Sequence, residues 1–464
     1  MDAPAERHFD ELEALDLKSL FHPNTNLAAL RRTGPLVLTR GEGIYVWDSH
    51  GNRYIEGMAG LWCTTLGYGD EELAAVAAEQ MRKLSFAHLF IGKSHEPGVR
   101  LAERLVRMAP FDASRVFFGN SGSDANDTQI KLVWYYNNAV GRLRKKKIIA
   151  RRRGYHGTTI ASAGLTGLAP FHEHFDVPLP FVVHAEAPYY YRGAEPGESE
   201  EDYATRLAAD LERLIEREGP DTIAAFIAEP MMGVGGVLLP PRTYFEKVHA
   251  VLAKHDILLI DDEVICGFGR TGSLWGAQTF GMRPNTLTAA KALSSGYLPI
   301  SAVIVPEFLY EAIEEASARV GHFGHGFTYS GHPVAAAVAL RTLEIYEERN
   351  LYEHVRRMAP LFQARLRALA NHPLVGDARG VGLAGAVELV QSKATKAPFP
   401  AKAGVGTQCM VLCRHRGLIV RALGDAVALC PPYIVTEEQI DEIFQRFEQG
   451  LNDTLEWARR ERLL

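Results

Sequence analysis

Cysteine is scarce in this chain, and its spacing does not suggest a metal site. The 464 residues include five cysteines, and none are arranged as a CxxC pair: Cys63, Cys266, Cys409, Cys413 and Cys430. An odd number without such pairs indicates neither a disulfide framework nor a zinc site. We therefore expect reduced thiols, no bound metal and a cytoplasmic location.

An excess of basic residues and a long apolar run are also missing. Lysine and arginine number 50 against 56 acidic residues, which gives a net charge of −6. This balance does not suit a nucleic-acid-binding surface. No uninterrupted apolar run approaches the length needed to span a bilayer, and the first residues lack the features of an export signal. We expect neither a nucleic-acid nor a membrane partner.

What the sequence does contain is a regular alternation of helix and strand patterns from about residue 70. With 47% apolar residues the chain can bury a large core in two or three domains. Alternating strands and helices are typical of βαβ units and a mostly parallel sheet. The strand candidates are the short β-branched or aromatic runs at 116–118, 147–150, 181–183, 224–228, 257–260, 287–290 and 302–305.

The two ends of the chain have a different pattern. After a long helical stretch at 334–370, strands are predicted at 383–389, 418–420 and 426–429. The last helix is predicted to begin at Thr436, with Gln439 completing a capping box. We predict a large α/β domain at 70–330 and a smaller α+β domain at 331–464, to which an N-terminal segment, 1–69, contributes.

Asp262 and Lys291 are the most informative pair in the sequence. Each lies at the end of a short hydrophobic run, at 257–260 and at 286–290. A lysine after such a run is poorly placed for a surface charge and well placed to form a Schiff base. A carboxylate at the end of a neighbouring strand suits the protonated ring nitrogen of pyridoxal 5'-phosphate.

A small-residue turn at 119–123 suggests where a phosphate would bind. Residues 116–126 have the pattern of a strand, a turn and the start of a helix. Free backbone N–H groups at a helix N-terminus bind phosphate, and a serine hydroxyl adds a donor. Ser121, Gly122 and Ser123 are the candidate contacts. The alternative is ordinary N-capping of the helix by Ser123 or Asp124.

Two GxGxxG matches, at 267–272 and 380–385, do not support a dinucleotide site. Such a fingerprint must follow a strand, open a helix and meet an acidic residue about 20 positions later. The first match leads into a non-helical segment, and the second leads into a strand pattern. We interpret both as glycine-rich loops.

With these motifs together, the chain resembles the class III aminotransferases, which are pyridoxal-phosphate enzymes of fold type I. The resemblance covers nearly the whole chain and is centred on 259–272 and 290–297. Within the class it looks most like the ω-transaminases of the amine–pyruvate and taurine–pyruvate type. It implies a seven-stranded, mostly parallel sheet in the large domain.

The resemblance also implies a role for each cofactor-site residue. Lys291 would be the catalytic lysine, and Asp262 would keep the pyridine nitrogen protonated. Asp261, beside it, is expected to be a structural or solvated neighbour. Val264 would pack beneath the ring, although an ordinary core valine is the alternative.

Three further segments carry expected cofactor contacts. Tyr155 would stack on the opposite face of the pyridine, with His156 beside it as either a contact or a loop histidine. Glu229, after the strand at 224–228, would organise hydrogen bonds near the cofactor or serve as a plain strand-end carboxylate. Thr328 would reach the phosphate bound by a neighbouring subunit, which implies a homodimer, or a dimer of dimers, with shared sites.

The expected substrate side combines one arginine with apolar walls. Arg421 matches the family's mobile arginine, which forks onto a carboxylate and swings away for an apolar amine. Val234 stands where related enzymes have a glutamate that neutralises this arginine. Trp62, Phe90 and Tyr155 are candidate walls, with core packing as the alternative for Trp62 and Phe90.

These features predict an ω-aminotransferase that moves an amino group from an amine or ω-amino acid to pyruvate in a ping-pong cycle. Alternatives on the same scaffold are a decarboxylase, a racemase, an aminomutase or an aminotransferase that uses 2-oxoglutarate. A non-catalytic cofactor-binding protein is the alternative from a different class.

Overall fold

The structure, a computed structural model, describes residues 9–464, which form three β-sheets surrounded by helices. The strands are β1 (Leu38–Glu42), β2 (Tyr45–Asp48), β3 (Arg53–Glu56), β4 (Ala113–Gly119), β5 (Lys147–Arg151), β6 (Val182–Ala185), β7 (Ile223–Ala228), β8 (Leu258–Asp262), β9 (Thr286–Ala289), β10 (Ser301–Pro306), β11 (Val375–Val381), β12 (Ala384–Leu389), β13 (Leu418–Ile419), β14 (Arg421–Leu423) and β15 (Ala426–Leu429). The helices are α1 (Glu11–Ser19), α2 (Leu27–Thr33), α3 (Ala59–Trp62), α4 (Glu71–Lys83), α5 (Glu96–Met108), α6 (Gly122–Ala139), α7 (Ile160–Leu165), α8 (Tyr190–Gly193), α9 (Glu200–Glu218), α10 (Tyr244–Lys254), α11 (Gly276–Phe280), α12 (Glu307–Val320), α13 (Pro333–Glu348), α14 (Leu351–Ala368), α15 (Val405–His415) and α16 (Glu437–Arg460).

The central sheet contains all seven strands predicted for the large domain, in the order β4-β10-β9-β8-β7-β5-β6. Strand β10 runs antiparallel to both of its neighbours, and the other pairs are parallel. The carboxyl ends of β4, β9, β8, β7 and β5 therefore meet at one edge of the sheet. This arrangement confirms the predicted fold class.

Burial explains why these strands were recognisable as continuous apolar runs. Strands β7 and β10 are buried at every position, and β9 is as well. Helices cover both faces of a mostly parallel sheet, so its strands do not alternate between apolar and polar residues. Helix α6, which follows β4 directly, packs across β9 and β10 and begins at the carboxyl edge.

The two smaller sheets join the ends of the chain. One has the order β1-β2-β3-β13, in which β13 pairs in parallel with β3 through Leu418 and Ile55. The other has the order β11-β12-β15-β14. Segments distant in sequence thus form the smaller α+β part of the molecule, and the boundaries at 69 and 330 stay a prediction.

Some predicted elements differ from the structure. The helical stretch at 334–370 is two helices, because Asn350 adopts a left-handed conformation with φ of 49° between α13 and α14. Strand β11 was not predicted, since glycine and charged residues interrupt its apolar pattern. The glycine motif at 380–385 lies in the β11–β12 hairpin. Thr436 caps α16 through a capping box with Gln439, as predicted.

None of the helices within residues 9–464 is both long enough and apolar enough to cross a bilayer.

Candidate active site

A cleft of about 710 Å³ opens at the carboxyl edge of the central sheet. In α/β proteins this edge is the usual place for a ligand. Most of the site residues predicted from sequence line it: Trp62, Gly122, Ser123, Tyr155, His156, Glu229, Val234, Asp262, Val264, Lys291 and Arg421.

Lys291 follows β9 and begins a single 3₁₀ turn, Lys291–Ser294. Its φ of 49° is left-handed, a strained conformation that clusters at functional sites. Burial lowers the pKa of its ammonium group below the ordinary lysine value. Within residues 9–464 the Nζ atom has no hydrogen-bond or ion-pair partner, and it lies 5.3 Å from the centroid of the Trp62 ring. Such a lysine is readily available as a neutral amine.

Asp262, at the end of β8, is the hydrogen-bonding centre of the site. Its side chain is only 4% exposed. Oδ2 accepts a bond from Asn126 Nδ2 at 2.8 Å and lies 2.8 Å from His156 Nδ1. Oδ1 accepts the backbone N–H of Val264 at 3.2 Å. These donors stabilise the carboxylate as an anion facing the cleft.

The turn before α6 offers backbone N–H groups to the cleft. Ser121 is the N-cap: its Oγ accepts the N–H of Asp124 at 3.2 Å, and Asp124 Oδ1 accepts the N–H of Ser121 at 3.1 Å. The N-cap is therefore Ser121, not Ser123 or Asp124, although the Asp124 side chain completes the capping box. The amides of Gly122 and Ser123 belong to the first turn, which has no intrahelical acceptors.

Close packing around this turn depends on glycine. A Cβ atom added at Gly157, whose φ is +132°, would come within 2.6 Å of Ser123 Oγ. The neighbouring N–H of Thr158 donates to that same Oγ at 3.1 Å. A Cβ atom added at Gly122 would lie 3.0 Å from Val264 Cγ2. Close packing therefore explains why small residues occupy the turn that is predicted to bind phosphate.

Glu229, after β7, ties two cleft-lining segments together. Its Oε1 accepts the N–H of Tyr155 at 3.0 Å, and its Oε2 accepts the N–H of Gly233 at 2.9 Å. Burial raises the pKa of the Glu229 carboxyl. The Tyr155 ring is in turn held by an edge-to-face contact with Phe171 at 5.4 Å.

The substrate side of the cleft combines Arg421 with an apolar wall. The Arg421 guanidinium carbon lies 4.9 Å from the centroid of the Trp62 ring, and the indole is almost fully buried. In the part of the chain that the structure describes, the Arg421 side chain has no carboxylate partner. Burial lowers the pKa of Arg421, which stays a cation at neutral pH. Val234 and Ile265 contribute apolar surface beside it.

Phe90 and Thr328 do not line the cleft of their own chain. Phe90 is 40% exposed and packs against Gly326, where an added Cβ atom would lie 2.7 Å from Phe90 Cε1. Thr328 is exposed on the same loop. Both residues thus lie at the surface near Gly326, and the role of Phe90 as a wall is not filled within its own chain.

Asp261 is buried, so the solvated alternative for this residue was wrong. Its side chain points away from Asp262, as successive residues of a strand do. Burial raises the pKa of Asp261 well above its ordinary value, and the neighbouring Glu263 carboxylate adds to this effect.

Several cleft residues were not predicted from sequence: Pro23, Asn126, Phe171, Ile265 and Met410. The sequence pattern could have indicated Ile265, which lies within the motif at 259–272, and Asn126. Asn126 lies four residues after Gly122, so it shares a helix face with the start of α6. Phe171 and Met410 come from segments without a motif, and only folding brings them to the cleft.

The residues present fit pyridoxal 5'-phosphate. An uncommitted lysine amine faces the cleft, a buried carboxylate is available for a protonated ring nitrogen, and the first turn of α6 can receive a phosphate. Val264 and Tyr155 supply an aliphatic and an aromatic surface for the ring. Together with the sheet order, this site defines a pyridoxal-phosphate-dependent enzyme of fold type I.

The chain belongs to the class III aminotransferases, since the model of the family "Aminotransferase class-III" matches residues 28–451. Enzymes of this family use pyridoxal phosphate, so the predicted enzyme class and cofactor are confirmed.

Named relatives are similar over most of their length. The chain is 50% identical over 423 residues to a chloroplastic gamma aminobutyrate transaminase 3 of Solanum lycopersicum, covering 90% of this chain and 81% of that protein. It is 50% identical over 421 residues to the vanillin aminotransferase of Capsicum annuum, covering 90% and 92%. A crystal structure of the omega transaminase from Pseudomonas jessenii in complex with PMP is 51% identical, with a TM-score of 0.95 over 97% of this chain and 99% of that one.

Asn126→Ala should weaken binding of pyridoxal phosphate. The change removes one of the donors to the buried Asp262 carboxylate, and a hydrogen bond to a charged group contributes about 1.5–3 kcal/mol. We expect the dissociation constant to rise by about tenfold to a hundredfold. Titration of the apoenzyme, followed by tryptophan fluorescence, measures it.

Asn137→Ala is the matched control, because Asn137 is equally buried on α6 but donates to Val133 O, away from the cleft. Equal affinities in the two variants would contradict the role given to Asn126.

Proposed function

We propose that the protein is an ω-aminotransferase that transfers the amino group of an amine or ω-amino acid to pyruvate and so forms alanine. The observation that carries this proposal is the position of Arg421, a single guanidinium without a carboxylate partner at an apolar wall. One such group can bind one carboxylate with two parallel hydrogen bonds. An apolar amine can occupy the same wall when the carboxylate is absent.

The charges around the cleft favour an acceptor with a single carboxylate. Among the described residues, Arg421 and Lys291 are the cleft-lining lysines and arginines, and Lys291 belongs to the cofactor site. The second carboxylate of 2-oxoglutarate would need a further cation there. Pyruvate needs none, which supports it as the acceptor.

The walls favour a donor without a carboxylate beside its amino group. Leu61, Trp62, Phe171, Val234 and Met410 present apolar surface. The names of two relatives refer to γ-aminobutyrate and to vanillin, which are an ω-amino acid and an aromatic aldehyde. Neither carries a carboxylate on the carbon that gains or loses nitrogen, which supports the proposed donor class.

Each residue has a defined task in this reaction. When bound, pyridoxal phosphate supplies an electron sink that stabilises negative charge on the carbon bearing the amino group. Lys291 Nζ would hold the cofactor and then move the proton at that carbon, because its lowered pKa favours a neutral amine. Asp262 would hold a proton on the ring nitrogen, and the amides of Gly122 and Ser123 would bind the phosphate. Arg421 orients the acceptor's carboxylate.

A visible spectrum of the purified enzyme tests both half-reactions. The yellow band of the bound cofactor should bleach when one donor amine is added and return when pyruvate is added, with alanine formed in equal amount. Lys291→Ala should fold with an unchanged thermal midpoint and show no turnover. A band that no amine or amino acid changes would refute the proposal, as would full activity in the lysine variant.

Arg421→Ala should impair the two half-reactions unequally. The loss of a bidentate contact to a charged group costs about 1.5–3 kcal/mol, so kcat/KM for pyruvate should fall by about tenfold to a hundredfold. The half-reaction with 1-phenylethylamine, which has no carboxylate, should keep its rate. Single-turnover kinetics with each substrate separates the two.

Arg416→Ala is the control for this comparison, since Arg416 pairs with Asp453 on the surface and does not line the cleft. A proportional loss with both substrates in Arg421→Ala would contradict a role in carboxylate recognition.

We further propose a homodimer in which each subunit contributes Thr328 and Phe90 to the site of the other. Both lie on an exposed surface with other large apolar side chains: Phe86, Ile91 and Tyr329. Monomeric proteins rarely expose apolar patches of this kind, and a two-fold interface would cover it.

Light scattering should give a mass about twice the 51.2 kDa of one chain. Phe90→Asp should shift the protein towards monomer and weaken cofactor binding, while Val140→Asp, a change at the exposed apolar residue that directly follows α6, should not. A wild-type monomer with full activity would contradict the shared site.

A further inference from the structure

The segment that carries Val234 into the cleft combines a few local hydrogen bonds with a strained backbone, and the N–H groups of Gly236 and Val237 both donate to the carbonyl of Gly233. Its ends pair at a single isolated bridge between Met232 and Leu238. Between them Gly236 has a φ of +118° and Val237 a φ of +53°. A left-handed conformation is a strong outlier for a β-branched residue and persists only when the surroundings impose it.

Two arginines impose that conformation by binding successive carbonyl groups. Arg153 donates from Nε and Nη2 to the carbonyl of Gly235, at 3.2 and 2.9 Å. Arg379 donates from Nε and Nη2 to the carbonyl of Gly236, at 2.9 and 2.7 Å. The ring of Tyr189 is close to both guanidinium groups, at 5.0 Å and 5.2 Å from its centroid. The segment is thus clamped at two successive carbonyl groups.

Arg379 is itself fixed in a single orientation. Its Nη1 donates to Asp377 Oδ2 at 2.7 Å and to Glu388 Oε2 at 2.8 Å. Glu388 also accepts a bond from Arg192 Nε at 2.6 Å. The Arg379 side chain is only 10% exposed. A buried guanidinium with these partners fixes the distance between the carbonyl of Gly236 and strand β11. Another side-chain rotamer would break the hydrogen bonds to Asp377 and Glu388.

The strand register places Arg379 and Arg421 in one row across the C-terminal sheet. Arg379 of β11 pairs with Ala386 of β12, Ala386 with Ala428 of β15, and Ala428 with Arg421 of β14. Directly paired residues have side chains on the same face. The alanines between the arginines leave room for the Val234 segment, and Val234 and Val237 pack in one cluster with Ala386 and Ala428.

We propose that Arg379 is a positioning residue that sets the size limit of the amine site. It fixes the Val234 wall relative to the sheet face that presents Arg421, without touching the substrate. This inference rests on the proposed function of the cleft as an amine site. Loss of the clamp would let the strained segment relax away from the cleft and admit a larger group on the reacting carbon.

The test compares two amines that differ by one methylene at that carbon, 1-phenylethylamine and 1-phenylpropylamine, both with pyruvate. In Arg379→Met, which keeps the length and loses the donors, the ratio of kcat/KM values should shift towards the larger amine by about tenfold, the order of discrimination that a pocket exerts on one methylene. Arg379→Lys should lie between this variant and the wild type. Arg365→Met, which removes a surface pair with Asp441, should leave the ratio unchanged.

Two further measurements separate positioning from general loss of structure. The dissociation constant of pyridoxal phosphate should change little in Arg379→Met, because the cofactor contacts do not include this residue. The thermal midpoint should fall, because Asp377 and Glu388 lose a buried partner, but the cofactor-binding state should be retained. Gly236→Ala provides a second variant if Arg379→Met does not fold. Its new methyl would lie 3.1 Å from Arg379 Nη2 and displace the segment from the clamp, so the ratio should shift in the same direction.

An unchanged ratio in a folded, cofactor-binding Arg379→Met overturns the inference and leaves the proposed function standing. A wild-type enzyme that consumes neither amine, nor any other amine tried, contradicts both.

Discussion

The burial of one negative charge, on Asp262, is the constraint on which the site depends. A carboxylate removed from water costs several kcal/mol unless hydrogen bonds replace its hydration. The replacement comes from Asn126 on α6, His156 after β5 and the amide of Val264 after β8. These segments can meet only where parallel strands end together. The sheet order is therefore what makes a stable anion possible opposite a protonated ring nitrogen.

Strand β8 gives two adjacent carboxyl groups opposite environments. Asp262 faces donors and the cleft, whereas Asp261 faces the interior on the other side of the strand. There burial raises the pKa of Asp261 well above its usual value, and it raises the pKa of Glu263 to about 7. Glu263 accepts the amides of Gly276 and Ala277, so this second pair supports the backbone beneath the site. The direction of the side chain is therefore what distinguishes Asp262, which lines the cleft, from Asp261, which is buried in the interior.

The cleft is built where two sheets meet, and each supplies a different kind of selectivity. The central sheet supplies Lys291 and Asp262, which follow β9 and end β8. The C-terminal sheet supplies Arg421, which stacks on Trp62 from the N-terminal part of the chain. The cleft therefore depends on contacts between segments that are far apart in sequence.

Local pattern was enough to assign the seven strands of the central sheet, the Lys291–Asp262 pair and the turn before α6, because burial and turn geometry act over a few neighbouring residues. It was not enough for β11, whose glycines and charges hide a strand that only sheet pairing stabilises. Nor could it decide that Asn126 would bind Asp262, that Asp261 would be buried, or that Phe90 would lie outside the cleft of its own chain. Those outcomes depend on which face each side chain takes and which distant segment packs against it, and only the folded chain sets both.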